Sequence, residues 1–443
     1  MRARAPKSCA CVVATLPERH TRSTIRRRHV RVVRLWLLAA SFVAAAFLAP
    51  ALVSAAEPSQ ATGGAGDARR ALPPPAISRV ASRPAPPQKY RLPQHAIWVS
   101  NSTQLRLALS RYTSRDIILR NGVYDSSEPF SNPRGDRLYA QTLGGAVLGV
   151  GISLGGNTGP GGGLVRGIVF DVQDDSRTLG RSIIHVWGTG KNSQILDVTL
   201  EGHGVVGAGI KARQVEGLVI QRAITRHFRS WGVIVDANGR DTPVGRPPLL
   251  EDVDAAYVSW SPPRSSNGTA EACVWIGNTA VVRRVRAHDC AWEGLWVGTA
   301  ASNALFEDIR MTDVGIGVYL EHFVNSATFR RLQIGPNVNR GLTCEWADPK
   351  WDSQPACVDN VVEQSSFDTQ IVGVYLDAGT TRTTVRSSTF ANQCWAAIGN
   401  FRGVDNLHDT SGNDYSALRP GAVPISADHY YRSARCSQTS PGG

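Results

Sequence analysis

Short alternating runs recur along this chain at a nearly fixed spacing. Gly294-Leu295-Trp296-Val297, Gly317-Val318-Tyr319-Leu320-Glu321, Gly341-Leu342-Thr343-Cys344-Glu345 and Gly373-Val374-Tyr375-Leu376-Asp377 lie over one another in steps of 23 or 24 residues, with one longer step. The alignment reaches back through Gly232-Val233-Ile234-Val235-Asp236 to Gly209-Ile210-Lys211-Ala212-Arg213, and forward to Ala396-Ala397-Ile398-Gly399-Asn400. In each run the first and third positions after the small residue are apolar, which is the period of a β-strand. A strand this short cannot bury its apolar side alone, so the copies must stack. About 23 residues make one coil of a parallel β-solenoid, and the chain is predicted to be all-β and built of such coils.

The alternation sorts the columns. Positions one and three share a face and must fill the interior, as in Val233/Val235, Val318/Leu320, Leu342/Cys344 and Val374/Leu376. Position two then faces outward: Lys211, Ile234, Trp275, Trp296, Tyr319, Thr343, Tyr375 and Ile398. Position four joins it with Arg213, Asp236, Glu321, Glu345, Asp377 and Asn400. A second strand per coil is expected at Ile195–Leu200, Leu218–Ile220, Val281–Val285, Phe306–Ile309, Phe329–Ile334 and Thr384–Ser387. Two insertions break the rhythm, one near 237–270 and one over 346–358 that carries Trp346 and Trp351. The Gly-rich run 155–163 is followed by a strand rather than a helix, so it is read as a solenoid turn and not a phosphate loop.

Ahead of the coils, Gln104–Ser110 has the pattern of a short amphipathic helix, followed by Asp116-Ile117-Ile118-Leu119-Arg120-Asn121-Gly122-Val123-Tyr124 as strand and turn. A helix followed by an Ile-rich strand ending in Asn-Gly-Val-Tyr resembles the start of proteins in the pectin-lyase-like superfamily. Together with the repeat, the resemblance covers roughly residues 95–415. It implies a right-handed parallel β-helix with an N-terminal helical cap that shields the open end of the core. The superfamily holds polysaccharide lyases, glycoside hydrolases and mannuronan epimerases as well as phage tailspikes and non-catalytic surface proteins. Specific signatures do not follow. Gly202-His203-Gly204 resembles the Gly-His-Gly of polygalacturonase-like hydrolases, yet Asp174-Asp175 precedes it with no Asn-Thr-Asp and Gly209-Ile210-Lys211 follows too soon.

Charge changes the picture only at the N-terminus. The chain carries +12, but residues 1–34 hold +9 and residues 57–90 hold +3, which leaves the repeats neutral. The electrostatic footprint of a nucleic-acid binder is missing from them. The basic stretch ending at Arg34, the apolar run Leu35–Val53 and the small residues after it read as a signal peptide over 1–56, with an uncleaved anchor as the other reading. Residues 57–92, rich in Pro, Ala and Gly, read as a disordered linker. The β-helix domain, with a C-terminal cap, is assigned to 93–443, secreted or cell-surface, with no membrane contact after cleavage and an undetermined oligomeric state. Of the cysteines, six follow the leader, and the local pairing Cys273–Cys290, Cys344–Cys357 and Cys394–Cys436 is preferred among the alternatives.

The outward columns carry the chemistry. Coils lie about 4.8 Å apart, so Trp275, Trp296 and Tyr319 are expected to form an aromatic ladder, with Tyr375 beyond. Flat rings beside carboxylates suit a sugar chain, although a cross-strand aromatic stack also stabilises a sheet by itself. Glu321, Glu345 and Asp377 are expected above one another, where like charges raise a carboxyl pKa or recruit a cation. Acid/base catalysis by this trio, a calcium site built from the same three residues, and a solvated acidic stripe offset by Arg382 or Lys350 all remain open. His322, beside Glu321, is read as structural. For a lyase, Arg382 and Lys211 are the cations available to neutralise a uronate. The expected function is an exported carbohydrate-active protein, a polysaccharide lyase or glycoside hydrolase acting on a polysaccharide, uronate-containing or not, along this face. The alternative is a non-catalytic glycan-binding surface or adhesion protein.

Overall fold

The structure, a computed structural model, describes residues 90–427 apart from 112–114, 156–161, 189, 237–244, 259–270, 278, 299–300, 322, 346–356, 378–379 and 402–405. The leader, nearly all of the linker, most of the Gly-rich run, His322, Trp346, Lys350, Trp351 and Cys436 therefore lie outside the described residues. Within them the chain winds as a right-handed parallel β-helix, with each strand paired in parallel to its copies one coil before and one coil after. Val318, Leu342 and Val374 stand in register inside and are fully buried, as the repeat requires.

A helix over Ser102–Leu109 closes the N-terminal end. Asn101 caps it by accepting from Gln104 N at 2.9 Å, and Leu105, Ala108 and Leu109 are buried against the core. Asp116–Leu119 follows as a strand, paired on one side with Ile97–Val99 and on the other with Arg137–Ala140. No helix among the described residues is long and apolar enough to cross a membrane.

Each regular coil has three strands where the sequence suggested two. Leu305–Glu307 belongs to a 13-stranded sheet, whereas Arg310–Leu320 bends around a corner of a 22-stranded sheet and contributes two faces. The run Ile195–Leu200 is broken at Asp197, whose φ of 54° separates Gln194–Leu196 from Thr199–Glu201. The same left-handed turn recurs at Arg222, Asp252, Arg284, Asp308 and Arg331. A non-glycine residue in this conformation costs about 1–2 kcal/mol. The column alternates in sign, and each cation grips the carboxylate one coil before it. Arg222 Nη2 lies 3.1 Å from Asp197 Oδ2, Arg284 Nε 2.7 Å from Asp252 Oδ1, and Arg331 Nε 2.7 Å from Asp308 Oδ1. Forked Arg–carboxylate pairs are strong for surface pairs, and here they offset the turn's strain.

The first expected insertion is in part an ordinary coil. Leu249–Glu251 and Asp254–Val258 pair with the coils on both sides. Two of the proposed disulfides are present, Cys273–Cys290 and Cys344–Cys357. Cys394 is also disulfide-bonded, but its expected partner lies outside the described residues.

The small residue that opens each repeat has a steric cause. A Cβ on Gly209 would sit 2.6 Å from the carbonyl oxygen of Gly232, one on Gly341 2.1 Å from that of Gly373, and one on Gly373 2.4 Å from Phe390 Cδ1. The column lets the backbones of successive coils and the interior rings of Phe367 and Phe390 close up on one another. Gly341→Ala is therefore expected to cost about 1–3 kcal/mol through overpacking, read as a lower denaturant midpoint at unchanged slope. An unchanged midpoint would mean that the column is not in contact.

Candidate functional site

The outward column of the repeat runs is continuous. His185, Lys211, Ile234, Trp275, Trp296, Tyr319, Thr343, Tyr375 and Gly399 are paired in order, coil after coil. Trp275 and Trp296 stack with ring centroids 5.1 Å apart and planes 17° from parallel, and Tyr319 continues the ladder 6.1 Å from Trp296. All three are half-buried. The ladder also extends backwards to Trp231, 6.0 Å from Trp275.

Several expectations need correction; Ile234 and Thr343 keep their places in the column but are buried. Tyr375 is in the column but buried, packed with Val372, Trp395 and Ala396, so it offers no ring to a ligand. Ile398 lies inside, in register with Val374, and Gly399 takes the outward place. Ala397 fills the position that glycine fills elsewhere, which shifts the alignment of the last repeat by one. Arg382 is not on this face's machinery; it grips Asp359 of the preceding coil with 2.6 Å contacts from Nε and Nη2, as part of a turn ladder.

The acidic column stacks as expected. Glu321 N donates to Val297 O, Glu345 N to Leu320 O and Asp377 N to Cys344 O, which carries the register through all three residues. Glu345 is tethered through both oxygens: Arg340 Nη1 donates to Oε1 at 2.8 Å, and the Tyr319 hydroxyl donates to Oε2 at 3.1 Å. Burial, reinforced by Glu321 and Glu345, holds the Tyr319 proton far more tightly than an ordinary phenol. Among the described residues no group of three or more His, Cys, Asp or Glu side chains is arranged to hold a metal ion.

The residue that changes the chemistry is one the sequence reading passed over. Glu293 is 7% exposed, and Oε2 has no hydrogen-bond partner among the described residues. Burial pushes its carboxyl up to about 7; Glu321 and Glu345 push the same way, and Arg340 pulls against them. Glu293 and Arg340 occupy one column, with Ile316 between them. In a straight strand Glu293 would share the inward side with Leu295. Gly294 and Leu295 both turn inward, and the pairing slips between Cys290 and Glu293, so the strand is bent there and Glu293 is released to the outer face. The legible signal is an acid at a position where other coils carry Ala272, Ile316 or Val372.

A second polar group marks the corner between the two faces. His203, of the Gly-His-Gly segment, pairs through Nε2 with Asp171, and His227 Nδ1 lies 2.9 Å from Glu201 Oε1 while its ring stacks 4.8 Å over Tyr257. His203, His227 and Tyr257 all have φ near 50–55° and occupy the same turn in successive coils, so they form a corner ladder like that of Arg222 and Asp197.

No family model and no curated protein matches the chain. Solved structures of similar fold include the A-module of a mannuronan C-5 epimerase from Azotobacter vinelandii, 16% identical over 74% of this chain and 92% of that one, with a TM-score of 0.48. A surface adhesin of Streptococcus pneumoniae matches at 9% identity over 71% and 85%, with a TM-score of 0.47. The catalytic unit of an α-1,3-glucanase from Streptomyces thermodiastaticus matches at 11% identity over 76% and 71%, with a TM-score of 0.44. Each likeness is one of fold.

The raised Glu293 carboxyl has a stability consequence. The folded chain holds this proton up to about pH 7, while the unfolded chain releases it near the ordinary value of 4.5. Its contribution is thus intact in acid and is lost as pH rises from about 4.5 through 7, by at most about 3 kcal/mol. Glu293→Gln is expected to abolish that slope and to melt higher than the wild type at pH 8 but not at pH 4. Parallel melting curves across this range would show that Glu293 is not a perturbed acid.

Proposed function

We propose that this protein hydrolyses a polysaccharide laid along the outer face that carries Trp275, Trp296 and Tyr319, outside the cytoplasm. The observation that carries the reading is Glu293, a nearly buried carboxyl half-protonated near neutrality beside two further carboxylates and a stacked aromatic ladder. A general acid works best when its pKa lies near the working pH, and glycoside hydrolysis needs one protonated and one ionised carboxyl flanking the bond. Glu293 would protonate the departing glycosidic oxygen. Glu345, oriented by Arg340 and Tyr319, would supply the second carboxylate, and Glu321 would help to keep Glu293 protonated. Trp275, Trp296 and Tyr319 would receive sugar faces.

The electrostatics favour hydrolysis over elimination. A lyase must neutralise the uronate carboxylate next to the proton it removes. Here Glu293, Glu321 and Glu345 surround the reaction point, and the nearby cation, Arg340, is already committed to Glu345. The same charges disfavour a uronate at the scissile bond and suit a neutral sugar. Calcium held by Glu321, Glu345 and Asp377 is the competing use of these carboxylates, weakened because Arg340 already compensates Glu345.

The test is a screen on neutral and uronate polysaccharides, followed by both reducing ends and the ultraviolet absorbance of unsaturated products. New reducing ends without unsaturated product are expected, with activity falling as pH rises past about 7. Glu293→Gln should lower kcat by about 10²–10⁴-fold, and Trp296→Ala should weaken glycan binding by about 1–2 kcal/mol. Unsaturated product would replace hydrolysis by elimination. Binding without turnover of any glycan would leave a surface glycan-binding protein.

A further inference from the structure

Towards the N-terminus the same face reverses its charge. Lys211 stands in the ladder column three coils before Trp296, paired to His185 on one side and Ile234 on the other. Trp187, 40% exposed, is paired with Arg213 and meets the His185 ring edge-on at 6.3 Å. Arg181 and Arg213 both act electrostatically on Lys211 and depress its pKa, after burial, against the single carboxylate of Asp236. His185 is held neutral by burial and by Lys211 and Arg213.

These cations are poorly compensated. Lys211 makes no ion pair among the described residues, and its Nζ reaches only the Gly180 carbonyl, at 3.4 Å. Arg213 Nε is buried without a hydrogen-bond partner and is 3.8 Å from Asp236 Oδ2, too far for a hydrogen bond. By contrast Arg222, Arg284, Arg331, Arg382 and Arg386 each grip a carboxylate of the preceding coil. A partly buried positive group with donors to spare, beside an exposed indole, is the chemistry that takes a negatively charged sugar substituent.

We infer that Lys211, Arg213 and Arg181, with Trp187, form a subsite for an acidic group of the glycan, a carboxylate or a sulfate. This rests on the polysaccharide reading above and sharpens it. Three coils separate Lys211 from Trp296, about 14 Å at the strand spacing, which is a few sugar residues. The substrate is then neutral at the bond beside Glu293 and acidic a short way along the chain.

The test measures binding of three soluble probes, dextran, carboxymethyl-dextran and dextran sulfate, by calorimetry and affinity electrophoresis at low and high salt. All proteins carry Glu293→Gln, so turnover does not enter, and the charge preference is read whether or not hydrolysis is the right chemistry. At least one acidic probe is expected to bind about tenfold more tightly than dextran. The Lys211→Gln/Arg213→Gln pair and high salt should each erase that advantage, while Arg382→Gln/Arg386→Gln should leave it intact. Preference for the carboxymethyl or the sulfate probe identifies the acidic group. Equal binding of all three probes, no binding of any, or an equal loss in the Arg382→Gln/Arg386→Gln pair would overturn the subsite.

Discussion

In-register parallel pairing between coils is the constraint on which everything else rests. Each strand residue sits about 4.8 Å from its copies above and below, so a side chain is acceptable only if it suits its own column. Inside the helix, like packs on like: Phe306 lies 4.7 Å from Phe329 with planes 5° apart, and Phe367 lies 5.2 Å from Phe390. Where the column is too crowded for any side chain, the residue is glycine. At the left-handed turns the rule takes an electrostatic form, and Asp and Arg alternate from Asp197 to Arg331 because like neighbours at this spacing would repel.

The outer face departs from that alternation at the acidic column. Glu321 and Glu345 are stacked without an intervening cation in their column, and the bend at Gly294 brings Glu293 towards them. Arg340 and Tyr319 satisfy Glu345 and leave Glu293 to respond by holding its proton. Along the turn from Asp197 to Arg331 every acid has a cation beside it. Glu293 instead has a buried carboxyl oxygen without a hydrogen-bond partner among the described residues, and unsatisfied groups of this kind persist where a site requires them.

The fold was almost wholly legible, because a repeat prints the same constraint many times. Inward and outward columns follow from alternation, the capping helix was expected from its amphipathic pattern and the resemblance, and Cys273–Cys290 and Cys344–Cys357 were the local pairs preferred among the alternatives. The third strand per coil was hidden because the turn at Asp197 and its equivalents is a single residue without glycine, so the apolar positions on both sides read as one run. The candidate site was legible in part. Trp275, Trp296, Tyr319, Glu321 and Glu345 lie where alternation puts them, whereas Tyr375 fails because Trp395 covers it. Glu293 escaped because a strict two-residue period assigns it to the interior, and only the slipped pairing after Cys290 reveals its true side.

A solenoid lets such a face be divided. Each coil contacts only its neighbours, so a basic stretch at Lys211 and an acidic one at Glu293 coexist without strain passing through the core between them. Ile234, buried although it is in the outward column, separates the two. The repeats are neutral as a whole, so no net charge adds to the local attraction of either stretch. Recognition must then be local: an extended chain gains from both stretches only if its own charge changes along its length in the same order. On the proposed reading, that requirement would fix a direction for the glycan, which a uniformly aromatic groove would leave open.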